Sequence, residues 1–357
     1  MGAALALALL VPACGSDSEQ SAPLAQEGRL LSMLAALPPA QEGDGARSTY
    51  VIGDVDAAVE LSGFPPPSGA AAQSDDDIRA WLSDISGTRV GQPPGPVRLQ
   101  LPLRSLQTAP AAAARDLGWS FVGVHRYAWQ FYGSWAVVDT DATADDLTAA
   151  LGADTNGVWA LGAESESLAY EDGFPELTSV RLGIDDGLLM CAGDAATVAT
   201  FLADGPSLAD NPAYVEALRP LDALGAYQAV VLQAEPFSLE SYQRVNTRAS
   251  QADLDARAAE PVPGRFDTLA IGQTVVDGEA VTTFVYRHAD AASAAANAER
   301  IEEVFRTGRS VRGNLPYSQQ FAVESVATDG NLVIVTTVGE GNPLNLLVNL
   351  ENPVMWR

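Results

Sequence analysis

The chain contains no lysine: all 20 of its basic residues are arginine, set against 46 Asp and Glu in 357 residues. Every lysine-dependent mechanism is thereby excluded, from Schiff-base chemistry to a phosphate-binding loop lysine. The formal net charge of −26 argues against a sequence-independent grip on nucleic acid, which needs clustered cations against phosphates. With 2 Cys there is no disulfide framework. With 2 His, a Ser-His-acid arrangement would have to recruit His125 or His288, and each reads first as a structural residue. The Gly-x-Ser-x-Gly elbow, the His-Glu-x-x-His helix and the Gly-x-x-x-x-Gly-Lys loop are all missing, so no enzyme activity and no cofactor are expected.

Long hydrophobic runs are also scarce. The longest at the N-terminus, Ala3 to Val11, falls well short of the roughly 20 apolar residues needed to cross a bilayer as a helix. It has the length of a signal-peptide core, and it ends in Val11-Pro12-Ala13-Cys14. This tetrapeptide resembles the lipobox of bacterial lipoproteins, in which an apolar residue stands three before the Cys and a small one immediately before it. The resemblance covers the leader only. It implies a signal peptide over residues 1–13, acylation of Cys14 as the mature N-terminus, a lipidated tether over 14–23, and a place at the outer face of the cytoplasmic membrane. Gly15 to Pro23 is polar, small and helix-poor, as a flexible tether should be. No Arg precedes Arg29, so the native start is expected upstream of Met1. All-Arg, Ala- and Gly-rich usage reads as that of a GC-rich bacterial genome of the actinobacterial type.

What the chain does have is 47% hydrophobic residues, enough for a sizeable core. Residues 24–113 read as a helical and Pro/Gly-rich region. Leu30, Leu31, Leu34 and Leu37 are at helical spacing, Thr49 to Ile52 is a short strand, Asp54 to Leu61 a helix, and Asp75-Asp76-Asp77 the acidic first turn of another. Residues 114–224 and 225–357 read as two α+β halves. Turn signals stand at Tyr132-Gly133-Ser134, Asp186-Gly187, Asp277-Gly278 and Asp329-Gly330 between strand-like runs. Gly133 and Gly187 are 54 residues apart, and Gly278 and Gly330 are 52 apart. Each hairpin leads to a helix start, at Thr143, Asp194, Asp290 and Asn342-Pro343, all good N-cap chemistry. The expected fold is therefore α+β: antiparallel sheets with helices packed on one face, built by internal duplication of a ββαββα unit. Between the halves, Asn211 to Leu224 reads as a helix, Ala226 to Gln233 as a strand and Leu239 to Glu260 as a polar helical arm.

Three features bear on chemistry. Asp139, Asp141 and Asp145 imitate the start of an EF-hand loop, but Ala144 replaces its glycine and Ala150 its final Glu, so helix capping accounts for them and no metal is assigned. Cys191 ends the apolar run Gly187 to Cys191 and reads as a small buried hydrophobe. Finally, three of the 6 Trp fall between Trp119 and Trp135. Strand alternation puts His125, Tyr127, Trp129 and Phe131 on one face, which is either the core side of a sheet or a stacking platform for a sugar or apolar ligand. The expected function is that of a lipid-anchored extracytoplasmic protein acting by binding an unidentified protein or small molecule, through the membrane anchor and without nucleic acid. A ligand carrier with an aromatic-lined cavity and a carboxylate-dependent hydrolase are the alternatives.

Overall fold

In the computed structural model, residues 28–39, 49–87, 97–99, 101, 110–130, 135–162, 179–203, 205–233, 250–259, 262–309 and 316–339 are described. The local signals act largely as written. Asp186-Gly187 and Asp277-Gly278 take left-handed conformations, with φ of 46° and 80°, and of 52° and 82°. These are the angles of a two-residue type I′ turn, whose twist matches that of the flanking strands. At the last hairpin Asp329 pairs with Leu332, so the turn is Gly330-Asn331, one residue later than expected. Gly330, at φ 54°, supplies the positive dihedral at the first turn position. The Tyr132-Gly133-Ser134 turn lies outside the described residues.

These turns join eleven strands of one antiparallel sheet among the described residues: β1 (Thr49–Asp54), β2 (Val124–Gln130), β3 (Trp135–Thr140), β4 (Trp159–Gly162), β5 (Ser179–Asp185), β6 (Leu188–Ala192), β7 (Gln228–Gln233), β8 (Thr268–Val276), β9 (Glu279–Arg287), β10 (Ala322–Asp329) and β11 (Leu332–Val338). Their order is β10-β11-β9-β8-β7-β1-β2-β3-β6-β5-β4. The duplication is visible in it. From the central β1·β7 pair, one side runs β1, β2, β3, β6, β5 and the other β7, β8, β9, β11, β10. Registers correspond as well: Ala128 pairs with Val137, Val137 with Met190 and Met190 with Gly183 on one side. On the other, Ala270 pairs with Val285, Val285 with Ile334 and Ile334 with Ala327. The repeat is one strand longer than ββαββα predicts. β1, from the N-terminal region, pairs with both β2 and β7 and stands in the first side where β7 stands in the second, and β4 has no counterpart strand among the described residues.

The helices are α1 (Arg29–Ala35), α2 (Val55–Ser62), α3 (Asp75–Ile85), α4 (Pro110–Leu117), α5 (Ala144–Leu151), α6 (Ala195–Leu202), α7 (Pro212–Ala223), α8 (Gln251–Ala258) and α9 (Ala291–Thr307). Three starts are capped by the expected side chains: Thr143 and Asp146 form a reciprocal capping box on α5, and Asp194 and Asp290 accept from the first turns of α6 and α9. Asp54, expected as the first residue of its helix, is instead the N-cap of α2 and accepts from the Ala57 N–H. The helix expected at Leu344 to Leu350 lies outside the described residues.

The α+β class and antiparallel pairing are as expected, but the helices occupy both faces of the sheet. One core layer gathers Val51, Tyr127, Trp129 and Phe284 under α2, α3, α5 and α9. The other gathers Tyr50, Ile52, Ala128, Val137 and Val285 under α1, α6 and α7. The reason is in the central strands. Every residue of β1 is buried, as are Gln228 to Leu232 of β7, and a strand apolar on both sides needs a cover on both.

Candidate functional site

The tight hydrogen-bonded rows of this sheet carry side chains from distant parts of the chain to one place. On the face under α1, α6 and α7, Tyr50 of β1 stands opposite Gln130 of β2. One register step beyond the Trp129·Ala136 pair, Trp135 of β3 comes next. Three adjacent strands thus present Tyr50, Gln130 and Trp135 as a cross-strand row. The Tyr50 and Trp135 ring centres are 6.4 Å apart at 38°. Behind them Tyr214 of α7 meets Tyr50 edge-on at 5.9 Å and 66°, an arrangement the ring quadrupoles favour. Pro38 and Pro39 after α1, together with Thr197 and Thr200 of α6, close the row into a cleft of about 110 Å³. Among the described residues, no carboxylate, guanidinium or imidazole lines it.

The sequence-derived platform is divided differently. Tyr127 and Trp129 are buried in the opposite core layer. Phe131 lies outside the described residues, as does Cys14. His125 is at the surface, because the register shift between Val124 and Arg126 interrupts the pairing at this end of β2. Its ring bridges two elements: Nδ1 lies 3.1 Å from Asp56 Oδ2 on α2, and Nε2 lies 3.2 Å from Asp141 Oδ1 after β3. The hydrogen bond to Asp141 raises its pKa most, opposed by partial burial and assisted by Asp56. Asp141 is therefore held by His125, Asp139 by Arg126, and Asp145 is in the first turn of α5. Nothing brings these three carboxylates together. Cys191 is buried, and burial pushes its thiol well above the ordinary range, as befits an inert core residue.

His288 is the other histidine and is fully buried. Its Nδ1–H donates to the Tyr286 carbonyl at 3.2 Å, while Nε2 accepts from Asn297 Nδ2 at 2.8 Å. Asn297 Oδ1 in turn accepts from the Gly264 backbone N–H at 2.6 Å. The chain of bonds ties the approach to β8 onto α9, and it requires neutral imidazole, since a proton on Nε2 would face the Asn297 amide hydrogens. Burial accordingly lowers its pKa, against smaller raising contributions. Unfolded, a histidine takes its proton near pH 6.5. Stability from this site is thus present above about pH 6.5 and lost as pH falls below it towards the folded value, at up to about 1.4 kcal/mol per pH unit. His125 works in the opposite sense, its contribution being lost as pH rises through its raised folded pKa; its exposure keeps that contribution small. Urea unfolding at pH 7 and pH 5.5 should show wild type losing stability relative to His288→Gln. An unchanged difference between the two proteins would disprove this account of His288.

A second buried polar group crosses the central strands. Tyr227 Oη donates to Gln273 Oε1 at 3.0 Å and accepts the Arg98 backbone N–H at 3.1 Å. Burial pushes its pKa up to about 12, so it remains a neutral hydrogen-bonding group throughout the physiological range.

No protein-family model matches the chain, and no curated protein matches it. Among solved structures, crystal form I of TP0453 is similar with a TM-score of 0.38 and 9% identity, over 89% of this chain and 98% of that one. Crystal form IV of the same protein gives 0.36 and 10%, over 85% and 93%. Likenesses this distant carry no statement about activity.

Tyr50 and Trp135 were not singled out by sequence as partners. Trp135 stood in the Trp-rich segment, but Tyr50 lies in a different strand 85 residues away, and only the sheet order joins them.

Proposed function

We propose that this protein is a lipid-anchored extracytoplasmic protein that acts by binding rather than by catalysis. The observation that carries the reading is the leader: a short apolar run, then Val11-Pro12-Ala13-Cys14, then a polar segment without helix-forming character. Acyl chains on Cys14 would hold the body at the outer face of the cytoplasmic membrane, with Gly15 to Pro23 as the tether. The body is compatible with such tethering. No helix among the described residues is long and apolar enough to cross a membrane, and the helices on both sheet faces spend their apolar sides on the protein's own core.

The cleft over Tyr50 and Trp135 supports a surface binding site over an enclosing carrier, since about 110 Å³ is well below the roughly 300 to 1,000 Å³ of a pocket that engulfs its ligand. Carboxylate-dependent hydrolysis needs two acids flanking a bond, and the described residues of the cleft lining include none.

The test is detergent phase partitioning after expression in a bacterial host from the native start. Wild type is expected in the detergent phase and Cys14→Ala in the aqueous phase. Equal aqueous partitioning of both would refute anchoring through Cys14.

A further inference from the structure

Resting on the reading of this chain as an envelope binding protein, we propose that the cleft over Tyr50, Gln130 and Trp135 binds a neutral saccharide, with one sugar ring stacked on the aromatic floor. Four observations converge. The floor is aromatic: Tyr50 is buried, at 1% exposure, and backs it, while Trp135 is only partly buried and is the ring that meets the C–H side of a sugar. The rim is polar but uncharged. In a chain of net charge −26, a cleft whose described lining has no arginine repels anions, and one whose described lining has no carboxylate gives a cation no partner.

The rim also has the right polarity of hydrogen bonding. Thr197 Oγ1 donates to Asp194 Oδ2 at 2.8 Å and Thr200 Oγ1 to the Ala196 carbonyl at 2.9 Å. Both hydroxyl protons are thus engaged, which leaves oxygen lone pairs to accept from a ligand that brings its own donors. Sugar hydroxyls are such donors, and the Gln130 amide adds one acceptor and further donors. A proline-rich segment, the other ligand that favours aromatic grooves, brings mainly carbonyl acceptors to such a site, and this rim meets it with acceptors. Lastly, size and stiffness fit. The space of about 110 Å³ suits one partly seated ring, and three hydrogen-bonded strands with Tyr214 behind hold the floor in place before the ligand arrives.

The experiment is an NMR titration of the tryptophan indole N–H signals in the full-length Cys14→Ala chain, with maltotriose, cellotriose, chitotriose and mannotriose each taken to about 20 mM, a range that captures millimolar dissociation constants. The expected result is a saturable shift confined to the Trp135 indole with at least one of the four. Binding should weaken at least tenfold in Trp135→Ala and several-fold in Thr200→Val, an exposed position where the fold is unaffected. No saturable shift with any saccharide would overturn the proposal. So would binding that survives Trp135→Ala, or a Trp135 shift produced by a proline decamer and by none of the sugars. Because the anchor is removed throughout, failure here leaves the membrane reading intact, and failure of the partitioning test leaves the cleft untouched.

Discussion

Trp129→Ala is expected to lower the free energy of unfolding by about 3 to 5 kcal/mol, the range for emptying a large aromatic from a packed core. Trp129 is 7% exposed and lies on the core side of β2, between Val51 of β1 and Ala136 of β3. Its counterpart in the second half, by sheet order and register, is Ile271, fully buried in the same layer. The void left by an indole is too large for this layer to close by side-chain movement alone. Chemical denaturation with a two-state fit measures the loss. A cost below about 1 kcal/mol would show that the ring is not core, and would restore the aromatic row of β2 as a ligand platform.

Gly53→Ala should be nearly as damaging, for the opposite reason. Gly53 is opposite Tyr127 in the β1·β2 pair, and the Tyr127 ring lies across it. A Cβ there would come within 2.2 Å of Tyr127 Cζ and 2.3 Å of its Oη. Tyr127 is fully buried and cannot swing into solvent, so the strain spreads into both central strands. Overpacking of this kind costs about 1 to 3 kcal/mol, and a rigid ring places it at the upper end. The origin is checked by a double-mutant cycle. In a Tyr127→Leu background the cost of Gly53→Ala should fall by more than about 1 kcal/mol. Additive effects of the two substitutions would mean that the ring is not what reserves the space.

How much of this was legible in the sequence depends on distance along the chain. Two hairpins were visible because Asp-Gly in an I′ turn is a local requirement, and the caps at Thr143, Asp194 and Asp290 were visible because a capping side chain reaches only two or three residues. The third hairpin slipped by one because Asp329-Gly330 and Gly330-Asn331 are both acceptable turns, and the ladder of β10 on β11 chooses between them. Turn spacing sufficed to reveal the duplication. It could not reveal that β1 and β7 extend it, since their equivalence is a matter of sheet order.

The placement of helices on both faces had a readable cue that alternation arguments pass over. Tyr50 to Ile52 and Ala229 to Leu232 are apolar runs without a polar side, which is how a strand covered on both faces is written. The cleft was the least legible. Its rings come from β1 and β3, which do not pair with each other, and Gln130 on the strand between them completes the row. His125 failed as a platform residue for a related reason: a register shift at the start of β2 is decided by pairing with β3, and no residue pattern within β2 announces it.

The most direct test of anchoring is the intact mass of the protein purified from membranes after expression from its native start, followed by sequencing of its N-terminal peptide. The expected species begins at Cys14, lacks residues 1–13, and carries the added mass of acyl chains on that residue. A full-length chain with an unmodified Cys14 would contradict the account.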